Sequence, residues 1–230
     1  MLDFFKDMSD IIIQNKSLLL KGFLTTLKLA FLVGISSLIL GTILGFLRTR
    51  KNPIVKWPVF IYIEIIRGTP LIMVIFWVYF LLPKILNRPI DPFLSAYIAM
   101  TIFESAYIAE IIRAGIESIS KGIIEASIAF GLKPSQIARH IVLPIALRNM
   151  IPALTSQFIA MFKDTSLAYI IGVIELTRAA VIINNRVYRP VEVFTFIAIV
   201  YFICSYAFSK ISQYLERKFA IVGMGVKKNG

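Results

Sequence analysis

A carboxylate, a guanidinium and a run of four polar side chains interrupt the most apolar parts of this 230-residue chain. Glu104 lies within "SAYIAMTIFESAYIAEII", Arg67 within "EIIRGTPLIM", and Lys163, Asp164, Thr165 and Ser166 follow one another in "MFKDTSLAYII". They do not make a familiar bond-breaking set. His140 is the only histidine and Cys204 the only cysteine, and the chain has no HExxH, GxSxG or GxxxxGK[ST] run. What these groups can do is bind charge. A buried carboxylate takes a proton, finds a cation on another helix or receives a cationic ligand. Glu104 has no basic residue three or four positions away, so its own helix offers it no partner. Tyr107, Ile108 and Ile111 continue the face that carries it, and Glu110 is expected to point away. Glu64 with Arg67, and Glu110 with Arg113, are spaced to pair on one helix face. In "RGTP", Gly68 weakens a helix and Pro70 removes an N–H, so a break is expected there. It would either line a cavity with the Gly68 and Thr69 backbone or serve as a packing kink.

The elements that hold these residues are membrane spans. The chain is 58% hydrophobic with 18 Phe, above the roughly 45–50% apolar content of a soluble domain. Five runs reach the ~20 residues needed to cross a bilayer, at 20–47, 58–82, 92–116, 148–173 and 191–215. This predicts an all-α integral membrane protein of five transmembrane helices, with a membrane domain over 18–217 and a tail over 218–230. Residues 1–17 lack the basic start, clean apolar core and small-residue cleavage site of a signal peptide; Phe4, Phe5, Met8, Ile11 and Ile12 fall at helical spacing, which predicts an amphipathic segment on the membrane surface.

The net charge of +12 would suit nucleic acid only if the basic residues clustered on a soluble face. Here they divide by loop, with thirteen Lys and Arg on one side against eight on the other, so nucleic acid is not an expected partner. The richer side is expected to be cytoplasmic, which places the N-terminus outside and the C-terminus inside. On that topology Glu104 and Arg67 straddle the bilayer midplane, and Asp164 lies toward the outer side.

The longest cytoplasmic loop, 118–145, contains "EASIAFGLKPSQIARHIVLP". Gly122 is expected to cap a short helix with Glu125 at its third position, and Gly131 to take the left-handed position that ends it. Pro134 then opens a second helix, and Pro144 marks its end before the fourth span. Glu125, Ala126, Gly131, Ile141, Leu143 and Pro144 match the "EAA…G…I.LP" loop of ABC importer permeases, with Ser127 in place of the usual second Ala. "EIIRGTPLIM", "SAYIAEIIRAGIESISKG", "LPIALRNMIPAL" and "KDTSLAYIIGVIEL" resemble the permeases of polar amino acid uptake systems, of the histidine, glutamine and arginine type. Ile123 departs from that pattern, in which Gln is common.

The resemblance implies a type I ABC importer permease fold with a cytoplasmic coupling-helix loop. It implies that Glu125, Ala126, Gly131 and Leu132 dock on a separate ATP-binding subunit, present as a homodimer and carrying ATP and Mg, since this chain has no phosphate loop of its own. It further implies a second permease chain, identical or paralogous, and an extracytoplasmic binding protein that delivers the ligand. The chain would then be a transport subunit in a prokaryotic plasma or inner membrane, with lipid as its remaining partner, and not an enzyme. Glu104 predicts a basic amino acid as substrate, with Arg67, Gly68, Thr69, Tyr107, Lys163, Asp164, Thr165 and Ser166 as further substrate-binding candidates and no metal site. A permease for glutamine, glutamate or another polar amino acid is the alternative. A stand-alone secondary transporter or channel is the alternative of another class, but five spans do not divide into the two equal halves of an inverted repeat.

Overall fold

The computed structural model describes the backbone of residues 2–219 and the side chains of residues 4–214. Apart from its first two positions, the expected tail at 218–230 lies outside the described residues. Among them every regular element is helical. Helix α1 (Leu2–Gln14) is followed after Asn15 by α2 (Lys16–Arg48), then α3 (Pro53–Arg67), α4 (Leu71–Leu86) and α5 (Pro92–Glu117). The loop helices α6 (Lys121–Ala129) and α7 (Pro134–Ile137) precede α8 (Leu143–Asp164), and α9 (Leu176–Val187) and α10 (Pro190–Phe219) complete the chain.

Four of these helices are long and apolar enough to cross a membrane, and a fifth crossing arises if α3 and α4 are taken as one broken span. That pair is bent by 106° at Gly68–Pro70, so the apolar run at 58–82 is two helices joined at the break expected there. The bend follows from Pro70, which cannot donate to the preceding turn. Thr69 Oγ1 donates to the Ile65 carbonyl at 2.8 Å, and the Gly68 and Thr69 N–H groups donate to Glu64 and Ile66.

Helix α5 is the axis of the bundle, with Asp91 capping its first turn and α2, α3, α4 and α8 packed around it. The tightest seam is with α2. A Cβ on Gly41 would fall 2.7 Å from Ile108, and one on Gly45 would fall 2.6 Å from Ile112, so only glycine admits this approach. The opposite face of α2 shows Phe31, Ile35, Ile39 and Ile43 to the surroundings, as expected of helices solvated by lipid tails.

At one end, α9 is fixed by Glu175. This buried carboxylate accepts from the N–H groups of Thr177 and Arg178 at 2.8 and 2.6 Å and from the Tyr201 hydroxyl of α10 at 3.0 Å. Thr26 of α2 accepts from the Leu176 N–H at 3.1 Å, so three helices meet in one satisfied network. Helix α1 lies against α10, where Arg189 reaches Asp7 at 3.7 Å.

The loop at 118–145 departs from expectation at two points. Helix α6 starts at Lys121 after Ser120, so Gly122 is inside it and Glu125 is its fifth residue. Helix α7 does not stop at Pro144; it runs through a π-helical turn at Ala138–Val142 directly into α8. Pro144 is tolerated because it falls in the first turn of α8. Gly131 does take the left-handed conformation, with φ at 77°.

Candidate functional site

Glu104 sits near the middle of α5's buried stripe, fully enclosed at 0% exposure. Its Oε2 accepts a hydrogen bond from Gln157 Nε2 of α8 at 2.8 Å, while Oε1 has no hydrogen-bond partner. It makes no ion pair among the described residues, and the charge that acts on it is another acid, Asp164. A carboxylate so placed is an acceptor with spare capacity in a site that excludes water.

A cleft of about 300 Å³ opens beside it. Its α5 wall is Tyr107, Glu110, Ile111, Ala114 and Gly115, with Ser118 just past the helix end; its α8 wall is Asn149, Ala153 and Gln157; Arg67 enters from the end of α3. The α8 residues recur every fourth position and therefore form one stripe. Glu110, expected to point away, lines the same cleft as Tyr107, because the opening is wide enough to take in both sides of the α5 face. It is tied to Arg113 by a bidentate pair, with Glu117 on the guanidinium's other arm. At the far end Asn149 Nδ2 donates to Ser118 Oγ at 2.8 Å.

Arg67 is held more loosely. Its nearest carboxylate, Glu64, is 3.9 Å away, its guanidinium lies 5.4 Å from the Tyr107 ring centroid, and its Nε has no partner. It is thus the cleft cation with unused donors. Gly68 and Thr69 border the α3–α4 bend, but both N–H groups are already donated within the chain, so this conformation leaves neither for a ligand. The polar run at 163–166 scatters where α8 tightens into a 3₁₀ segment, Thr165–Ile171. Lys163 is exposed, Asp164 is half-buried, and buried Thr165 donates to the Phe162 carbonyl at 2.7 Å. None of the four lines the cleft. A larger groove of about 530 Å³ between α2, α8 and α10 is almost wholly apolar and offers nothing to hold a zwitterion.

The sequence reading missed Gln157. Its signal was an amide in an apolar run, two helical turns before Asp164 and two after Asn149 on one face. In the loop it named Glu125, Ala126, Gly131 and Leu132, of which the first three are exposed, and passed over Phe130, the most exposed large apolar residue described at 86%.

Comparison with known proteins places this architecture. The chain is 40% identical over 206 residues to the glutamine transport system permease protein GlnP of Escherichia coli K12, covering 89% of this chain and 94% of that one. It is 32% identical over 200 residues to the arginine transport system permease protein ArtQ of Bacillus subtilis 168, covering 87% and 91%. A crystal structure of an amino acid ABC transporter with histidines superimposes with a TM-score of 0.84 at 34% identity, covering 90% of this chain and 96% of that one. The bent α3–α4 pair, the loop helices and the α5 axis thus belong to the type I ABC importer permease fold. The family model for the binding-protein-dependent transport system inner membrane component matches residues 37–221, and the chain belongs to that family.

Proposed function

We propose that this amino acid ABC importer permease takes up basic amino acids, arginine, lysine or histidine, and that Glu104 receives the side-chain cation. The observation that carries the reading is the enclosed Glu104 carboxylate, with one oxygen unpartnered and no cation paired to it. An acid with no ion pair inside a membrane is costly, and a cationic ligand offsets the cost. Arg67, with an unpartnered donor in the cleft beside Glu104, is the group for the α-carboxylate, and Tyr107 lines the same cleft with its ring against the guanidinium. Asp164 adds negative charge near Glu104; Lys163, Thr165 and Ser166 lie outside the cleft, and Gly68 and Thr69 contribute by shaping the bend.

In this reading the chain pairs with a second permease chain, receives ligand from an extracytoplasmic binding protein, and has its N-terminus outside. Glu125, Ala126, Gly131 and Leu132 dock on an ATP-binding subunit that holds ATP and Mg. Glu104→Gln tests the substrate. In reconstituted vesicles it should reduce arginine and lysine uptake by tenfold or more, the scale of a lost charged hydrogen bond; unchanged uptake refutes the assignment. Glutamine is the second reading, favoured by the 40% identity to a permease named for it. It predicts glutamine uptake that is indifferent to the charge at position 104.

A further inference from the structure

Glu104 does not itself line the cleft; Gln157 does, and Gln157 is the only group hydrogen-bonded to the carboxylate among the described residues. The side-chain amide therefore stands between the opening and the acid. Because a carboxylate only accepts, it must be the NH₂ end of Gln157 that faces Glu104, which turns the amide oxygen elsewhere. That NH₂ occupies the place at Oε2 that a ligand's cationic N–H would need, and Oε1, though unpartnered, is enclosed and does not line the cleft, so neither oxygen is reached from the opening while the amide stays in place.

We propose that Gln157 is a displaceable cover on Glu104, a stand-in for the substrate cation that the incoming side chain must replace. The inference rests on the basic-substrate reading for its ligand but not for its geometry. It also gives the site a rule of selection. A guanidinium or ammonium exchanges a neutral donor for a charged one and gains the Coulomb attraction of an ion pair in a site that excludes water. A glutamine side chain would exchange one amide for an identical amide and gain nothing, while still displacing Gln157. The cover thus sets a threshold that neutral side chains fail to pass. It also keeps the empty carrier's acid from standing wholly unpartnered, which would be more costly in a dry interior.

The test uses the complete transporter, this chain with its ATP-binding subunit, in nanodiscs without binding protein. Dicyclohexylcarbodiimide, an apolar reagent for enclosed carboxyl groups, is applied and the Glu104 adduct followed by mass spectrometry. Gln157→Ala removes the cover, and the adduct should form at least about fivefold faster than in the native chain. Gln157→Leu keeps the bulk but not the hydrogen bond, so arginine should bind about tenfold tighter, the bond it formerly displaced being worth roughly that factor. Equal adduct rates in native and Gln157→Ala transporters overturn the cover, as does weaker arginine binding by Gln157→Leu, which would make Gln157 a direct ligand contact. If the adduct forms faster but arginine neither slows it nor binds more tightly than glutamine, the cover stands and the basic-substrate reading falls.

Discussion

Phe130 offers the sharpest test of how this permease meets its ATP-binding subunit. Its ring is 86% exposed at the end of α6, next to the left-handed Gly131, with Ile128 at 59% beside it. A phenylalanine presents about 200 Å², so most of that area is free to be covered. At about 25 cal/mol per Å² the gain could approach 4 kcal/mol, an upper limit before the cost of fixing the side chain. Interface anchors of this kind usually lose about 2–4 kcal/mol on truncation, a factor of about thirty or more in affinity. Phe130→Ala leaves the Gly131 turn and the fold untouched, because the ring supports nothing within the chain. The assay titrates the ATP-binding subunit against the permease in nanodiscs and reads the dissociation constant, with Phe80→Ala, also exposed but on α4, as the control. A change within twofold for Phe130→Ala, or an equal loss for Phe80→Ala, refutes the reasoning.

Two further outcomes concern stability. Gly45→Val should lower the thermal unfolding midpoint of the purified permease markedly, by the scale of an overpacked core, about 1–3 kcal/mol or more, because its Cβ meets Ile112 at 2.6 Å; Gly122→Ala, with nothing within 4 Å, should not. Glu175→Ala should cost about 1–3 kcal/mol by freeing two N–H groups and the Tyr201 hydroxyl, and Glu175→Gln should recover part of the loss; chemical denaturation in detergent reads both.

The helical class and four of the crossings were legible because hydropathy over some twenty residues leaves little choice of structure. The break at "RGTP" was legible too, since Pro70 acts through its own backbone, but its 106° angle was not, being set by how α4 packs on α5. The loop shows the same division. Gly131 announces a left-handed turn locally, whereas the joining of α7 to α8 depends on a π turn whose five residues, "ARHIV", carry no local signal. At the site, Glu104 stood out as a charge in an apolar helix. Gln157 did not, because an uncharged amide is unremarkable until a residue 53 positions away is seen to accept its proton. Glu110 was misdirected for the same reason: a helical wheel gives the direction of a side chain but not the width of the gap beside it.

The π turn in the loop has a mechanical consequence. From Pro134 to Asp164 the chain is one unbroken rod, about 45 Å long at helical rise. Its backbone is helical throughout, across both the π turn and Pro152. A tilt of about 5° imposed there would swing the other end by about 4 Å over that length, and Asn149, Ala153 and Gln157 ride on the shaft between. The wall of the cleft thus rides on the same helix as the loop, and if the loop docks as proposed, a displacement of its end would carry Gln157 with it.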